Sequence, residues 1–323
     1  MKAITALLSS GLTLFSLLMA TQPDPSGNST SHDSYPDSVV DFENDLIPVF
    51  TKSGCNAGGC HGAAIGRGGL QLSLFGGDPH KDYQNIVHEL GGRRVNIARP
   101  DESLIFTKPT GIVSHGGKQV LDENEEGANL LKRWIEQGAR FETRHQLKSV
   151  EITPRVQAFQ TVGSSASLKA TAHYTDGSQR DVTRWTVFEA EDPASVTIDE
   201  HAAKVTVTRR GRHVVVARYL GWVIPTELFV PLGDDAVDLS QQPRDSFIDE
   251  EILRTLGNLR VLPSAMADDA TFHRRVTLDL TGRLPTPEEI DSYVASTAAD
   301  KREQLVDRLL ASEAFVESWA MRL

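Results

Sequence analysis

The stretch Ser53-Gly54-Cys55-Asn56-Ala57-Gly58-Gly59-Cys60-His61-Gly62 holds both cysteines of the chain, with four residues between them and a histidine directly after the second. Two thiols so placed can add to the vinyl groups of one haem, giving thioethers, and the adjoining histidine is then brought to the iron as its proximal ligand. The common C-x-x-C-H spacing is shorter. The longer loop asks for backbone freedom, which Gly58-Gly59 supplies. The same residues fit a second chemistry, a disulfide between Cys55 and Cys60 in an exported chain. Spacing alone leaves the two open.

A cofactor held on a loop needs elements on either side of it. Phe42, Leu46, Ile47 and Phe50 fall on one face of a helix that runs into the cysteines. Further on, Asp122 with Glu125 reads as a helix start, Leu130, Leu131, Trp134 and Ile135 as an apolar face, and Gly138 as the end. A first helix entering the attachment loop and a last helix bearing an aromatic residue are how a small all-α, cytochrome c-like domain closes around haem. The iron then needs a sixth ligand or an open position. Methionine is the usual sixth ligand, but the four methionines (Met1, Met19, Met266 and Met321) all lie outside this region. Three histidines stand between the helices: His80, His88 and His115. His115 sits in the Gly/Pro-rich loop Lys108 to Gly117, shortly before the last helix, where small cytochromes present their methionine. It is the candidate distal iron ligand, with His80 and His88 as alternatives.

Cys55 to Gly69 (CNAGGCHGAAIGRGG), Gly92-Arg93-Arg94-Val95-Asn96 and His115-Gly116-Gly117 resemble the cytochrome c module of large multidomain secreted proteins first associated with planctomycetes. The resemblance runs from about Val39 to Phe141. It implies one haem c, covalent on Cys55 and Cys60, with His61 proximal. Smaller relatives carry Met-Pro-Pro where this chain has His115-Gly116-Gly117, a positional argument for His115. Arg93 and Arg94 could pair with haem propionates or form a solvated basic pair.

The remaining chain divides by texture. Met1-Lys2 followed by the apolar run Ala3 to Ala20 has the build of a secretory signal over residues 1–20, with an uncleaved anchor as the alternative. Either way the rest lies across a membrane, in the periplasm or cell envelope or secreted. Residues 21–38 read as a disordered leader. From 148 to 232 apolar and polar residues alternate in short runs, such as Ser149 to Thr153, Ser167 to Ala172, Ser195 to Ile198 and Lys204 to Val207, which predicts an all-β sandwich. Asp176-Gly177 marks a hairpin and Trp185 a core position. Tyr174 to Ser178 with Arg180-Asp181-Val182-Thr183 and Trp185 resembles the bacterial Ig-like domain of group 2. Asp176, Asp181 and Asp199 read as solvated turn residues rather than a calcium site.

Residues 233–244 form a polar linker, and 245–323 an α-helical segment with Phe247, Ile248, Ile252, Leu253 and Leu256 on one face and Phe272, Val276, Leu278 and Leu280 on another. Thr286-Pro287-Glu288-Glu289 is a helix start. Phe272 to Pro285 resembles the beginning of the domain of unknown function that follows the cytochrome and Ig-like domains in the same proteins. That domain normally extends past Leu323, so the segment reads as truncated. His273, Arg274, Arg275 and Asp279 share one helix, where an Arg275–Asp279 pair accounts for two of them.

A net charge of −11 and a pI near 5.4 argue against a nucleic-acid surface and against docking on anionic lipid, and make basic partners the expectation for a redox role. No Ser/His/Asp or paired-carboxylate arrangement stands out. Two functions follow. One is an exported electron carrier, rather than an enzyme, that meets an unidentified redox partner protein. The other is a non-redox adhesion or carbohydrate-binding protein with a Cys55–Cys60 bridge, touching polysaccharide or cell surface through the Ig-like domain.

Overall fold

The computed structural model describes residues 39–323. The signal segment 1–20 and the leader 21–38 lie outside the described residues. Asp41 caps the first helical turn: its carboxylate accepts the Asn44 N–H at 2.9 Å. Phe42–Leu46 wind as a wide π-helical turn that continues into α1 (Ile47–Lys52). The predicted one-sided helix is instead buried all round, with Val49 as deeply enclosed as Phe42, Leu46, Ile47 and Phe50. The reason is tertiary. One flank meets the last helix of this unit and another meets the turn Thr183–Trp185 of the β region.

Three further helices complete the first unit: α2 (Pro79–Val87), α3 (Leu104–Thr107) and α4 (Glu126–Glu136). The start predicted at Asp122 falls later, because the Asp122 carboxylate accepts the Asn124 N–H at 2.9 Å and closes a local turn instead. Glu125 then takes the cap position. The predicted apolar face of α4 is buried, and Gly138 ends the helix region at φ +91°. Trp134 joins Phe42, Tyr83 and Phe141 in one aromatic cluster, with Phe42 and Trp134 centroids 5.4 Å apart.

Ten strands follow: β1 (Leu147–Thr153), β2 (Val156–Ala158), β3 (Ser165–Ser167), β4 (Lys169–Tyr174), β5 (Gln179–Asp181), β6 (Val187–Ala190), β7 (Val196–Asp199), β8 (Lys204–Val207), β9 (Gly211–Tyr219) and β10 (Trp222–Val230). They build a sandwich-like region from small sheets ordered β1-β4-β5, β2-β10-β9-β6 and β3-β8-β7. Gly177, at φ +86°, makes the β4–β5 turn that Asp-Gly predicts. β10 goes unseen in the sequence because Pro225 argues against an inner strand. The chain tolerates it there because β2 pairs only with Glu227 to Phe229, which leaves position 225 a free side for its missing N–H.

The two units share one hydrophobic core. Arg180 of β5 pairs with Asp45 at 2.7 Å and donates to the Asn44 carbonyl at 3.0 Å. Lys52 donates to the Thr186 carbonyl at 3.1 Å, Arg184 pairs with Glu126, and the Arg218 guanidinium covers the Phe75 ring at 4.2 Å. Trp185 is buried as predicted, but its ring lies against Gly127 of α4 as well as within the sandwich.

The C-terminal segment is helical: α5 (Phe247–Leu259), α6 (Asp269–Thr281), α7 (Pro287–Ala295), α8 (Lys301–Leu310) and α9 (Glu313–Arg322). Thr286 and Glu289 form the predicted capping box of α7. On α5 only Leu253 is buried, and Phe247 is 80% exposed. On α6 the buried stripe is His273, Thr277 and Thr281 rather than the predicted apolar residues, since this face turns to α7, α8 and α9. No ion pair joins Arg275 and Asp279 among the described residues. No helix among the described residues is long and apolar enough to cross a membrane.

Candidate cofactor site

α1 runs directly into a tightly wound loop. Cys55 N–H donates to the Phe50 carbonyl at 2.8 Å, Cys60 N–H to Ala57 at 2.9 Å and His61 N–H to the Cys55 carbonyl at 3.0 Å. The Leu72 N–H then holds the His61 carbonyl at 2.8 Å. Gly62 is required by close approach: a Cβ there would stand 2.0 Å from the Asn56 carbonyl oxygen. Asn56 is buried beneath the loop, and its amide donates to the Thr51 hydroxyl at 2.9 Å.

The loop forms one wall of a cavity of about 370 Å³. Cys55, Cys60 and His61 face it from this wall, Leu70 and Leu72 line its floor, and Leu104, Ile105, Lys108 and Pro109 come from the α3 region. His115, Gly116, Gly117 and Val120 close the far side. The size is within the range of small-molecule and cofactor pockets, and its lining is mainly apolar. Both cysteines are free thiols. Burial, with the Cys60 sulfur beside it, pushes the Cys55 thiol up to about 12.

His61 and His115 face one another with rings nearly parallel, 6° apart, and centroids separated by 6.0 Å. His61 Nδ1 lies 3.1 Å from the carbonyls of both Arg67 and Leu70, and His115 Nδ1 lies 3.0 Å from the Lys118 carbonyl. A carbonyl only accepts, so Nδ1 is the donor in each ring, the tautomer that in a neutral imidazole leaves the lone pair on Nε2. Burial lowers the His61 pKa, outweighing the two carbonyls that would raise it, with His115 and Lys108 adding to the lowering. The ring is therefore held neutral, as a ligand must be. Two imidazoles bound to one metal, each nitrogen ~2.0 Å from it, stand with centroids roughly 6 Å apart. The observed centroid spacing falls in that range, and two imidazoles with two thiols on one apolar cavity are a donor set of the kind that haem c takes.

The other predicted residues separate clearly. Arg93 is exposed on the cavity lining and has no ion-pair partner among the described residues. Arg94 also reaches the lining but is buried, its guanidinium donating to the carbonyls of Asn85 and Gly69 and lying 3.6 Å from Glu89. It ties α2, the loop at Gly69 and the turn at Glu89 together. His80 and His88 are elsewhere: His80 stacks on Phe141 at 4.2 Å and His88 meets the edge of Tyr83. Sequence reasoning missed Arg67, Lys108, Leu70 and Leu72, whose positions carry no spacing signal. No group of three or more His, Cys, Asp or Glu side chains suited to a metal ion occurs among the described residues, and Asp176 instead binds Ser178 and His145.

Residues 247–323 match the family described as a protein of unknown function (DUF1549). That family is typical of planctomycete cytochrome-associated proteins, and the match covers α5 to α9 alone. No curated protein matches the chain.

Proposed function

We propose that residues 39–141 are a c-type haem module and that the protein is an exported electron carrier. The observation that carries this reading is the convergence of both thiols with two nearly parallel imidazoles on one apolar cavity. Cys55 and Cys60 would hold the haem covalently, each thiol adding across one vinyl group so that an S–C bond forms and the thiol hydrogen passes to the other vinyl carbon. His61 and His115 would serve as its iron ligands, their rings fixed by the carbonyls behind Nδ1. Haem held there would supply one-electron redox chemistry at its iron. With a histidine on each side the chain leaves no position for a substrate, which favours relay over catalysis. Arg93 has its guanidinium free for a propionate, whereas Arg94 serves the wall.

On this reading the sandwich-like region is an Ig-like domain of the group 2 type acting as a spacer, and the helical segment is a docking or catalytic region. Haem attachment through thioethers belongs to the far side of a membrane, in the periplasm or envelope or outside the cell, and the segment 1–20 would be its export signal.

Expression with haem-maturation machinery tests the reading. The purified chain should be red, low-spin and heavier by one haem, and Cys55→Ala with Cys60→Ala should carry none after acid-acetone extraction. A colourless wild-type chain with an intramolecular disulfide would overturn it.

A further inference from the structure

The cavity mouth carries charge opposite to that of the protein. Acidic residues outnumber basic ones 44 to 33 in the chain, yet the lining contains Arg67, Arg93, Arg94 and Lys108 and no Asp or Glu. Arg94 is engaged by two carbonyls and Glu89. Arg67, Arg93 and Lys108 have no ion-pair partner among the described residues, whereas in the same unit Arg99 pairs with Glu102 and Lys132 with Asp101. Leu90, 61% exposed, and Val120 stand beside these cations on the lining, so apolar contact and positive charge occupy the same surface.

We infer that the cavity mouth, through Arg67, Arg93 and Lys108 around Leu90 and Val120, is a docking surface for an acidic partner protein. The inference rests on the haem reading for its purpose, since the partner would exchange electrons there. Two propionates would offset two of the three cations, and the surface keeps a positive excess. An apolar centre with unpaired charge around it is the composition of a transient interface, where complementary charge sets orientation and association rate. The whole-molecule charge points to a basic partner, but beyond a Debye length of about 8 Å at physiological salt that field is screened, and the local surface decides. A carboxylate-bearing protein patch meets only the mouth. An anionic bilayer is extended and flat, and would also meet the acidic body around it.

The test uses the haem-loaded protein and the unloaded Cys55→Ala/Cys60→Ala chain, each titrated with fluorescent polyglutamate, with polylysine as the opposite probe and phosphatidylserine vesicles as the membrane probe. Polyglutamate should bind both forms, more tightly the unloaded one, and should weaken as salt is raised. The triple variant Arg67→Glu/Arg93→Glu/Lys108→Glu should bind polyglutamate at least about tenfold more weakly. Polylysine binding should persist in it. Reversing Arg155 and Lys169, exposed on the β region, should change nothing. Polyglutamate binding that is absent or indifferent to the triple variant would overturn the inference, as would vesicle binding stronger than polyglutamate binding. Because binding is read with and without haem, a colourless wild type would sink the haem reading while leaving this surface to stand or fall on its own titration.

Discussion

Gly62→Ala should damage both the fold and cofactor attachment, by an amount the loop geometry sets. The added methyl would lie 2.0 Å from the Asn56 carbonyl oxygen, 2.7 Å from its carbon and 2.9 Å from the Ala57 oxygen. Close carbon–oxygen contacts run at about 3.3–3.6 Å, so the Asn56 carbonyl must retreat by more than ~1 Å. That oxygen accepts the Phe75 N–H at 3.1 Å, and the shift breaks the bond. Losing it costs about 0.5–1.5 kcal/mol. Overpacking against backbone, which cannot rotate aside, adds about 1–3 kcal/mol. The sum is roughly 2–4 kcal/mol, a large part of a domain's margin. Gly59→Ala is the internal control: a Cβ there meets nothing within 4 Å, although the residue belongs to the same loop and lines the same cavity. It should stay within about 0.5 kcal/mol of wild type. Guanidinium unfolding followed by tryptophan fluorescence measures the difference, and haem yield per chain gives a second reading. Equal unfolding free energies for the two variants would refute the close approach on which the loop is built.

Four other outcomes follow from particular groups. In the unloaded, reduced chain with Cys60 in place, and with the two positions read separately by peptide mapping, Cys55 should resist iodoacetamide at pH 8: with its thiol at about 12 its thiolate fraction is about three orders of magnitude below that of free cysteine. The greater nucleophilicity of a more basic thiolate recovers part of this, leaving alkylation roughly 50-fold slower, and a rate equal to that of glutathione would contradict the burial. Arg180→Met removes the ion-pair partner of the buried Asp45, which keeps the Asp41 N–H at 2.8 Å, and should cost about 3 kcal/mol, the lower end for breaking a buried pair, lost in one cooperative transition; two separated transitions would show that the units do not share a core. The Asp176 carboxyl, held at about 2 by bonds from Ser178 and His145, adds stability that is present above its unfolded pKa near ~3.9 and is lost as pH falls toward about 2, and a carboxyl NMR titration midpoint near 4 would count against those bonds. If the haem reading holds, His115→Met should keep the spectrum low-spin and raise the reduction potential, while His80→Ala leaves both unchanged; a shift on the His80 change alone would move the sixth ligand there.

Local chemistry wrote several features in the sequence directly. Asp176-Gly177 demands a tight turn whatever surrounds it, because only a residue tolerant of positive φ fits there. Thr286 to Glu289 closes its own capping box for the same reason: every partner is within three residues. The cysteine pair with its histidine is also local, and α1 delivers it to the cavity by simple chain continuity. His115 was reachable by loop position, but its opposition to His61 across 6.0 Å depends on how the segment Lys108 to Leu121 folds back, and no spacing rule encodes that.

What only the tertiary structure decided concerns groups whose partners are far away in the chain. Arg93 and Arg94 are neighbours with identical side chains, yet one faces the cavity and the other is buried under the carbonyls of Gly69 and Asn85, because the backbone turn between them points them in different directions. Val49 is buried because the β region packs on α1, and α6 buries His273 and Thr277 because three helices converge on that stripe. Pro225 sits in an inner strand because its neighbour β2 is too short to need the missing N–H. The positive mouth on an acidic chain has the same origin. Composition sums charge over the whole molecule, while folding gathers Arg67, Arg93 and Lys108 from three separate loops onto one surface.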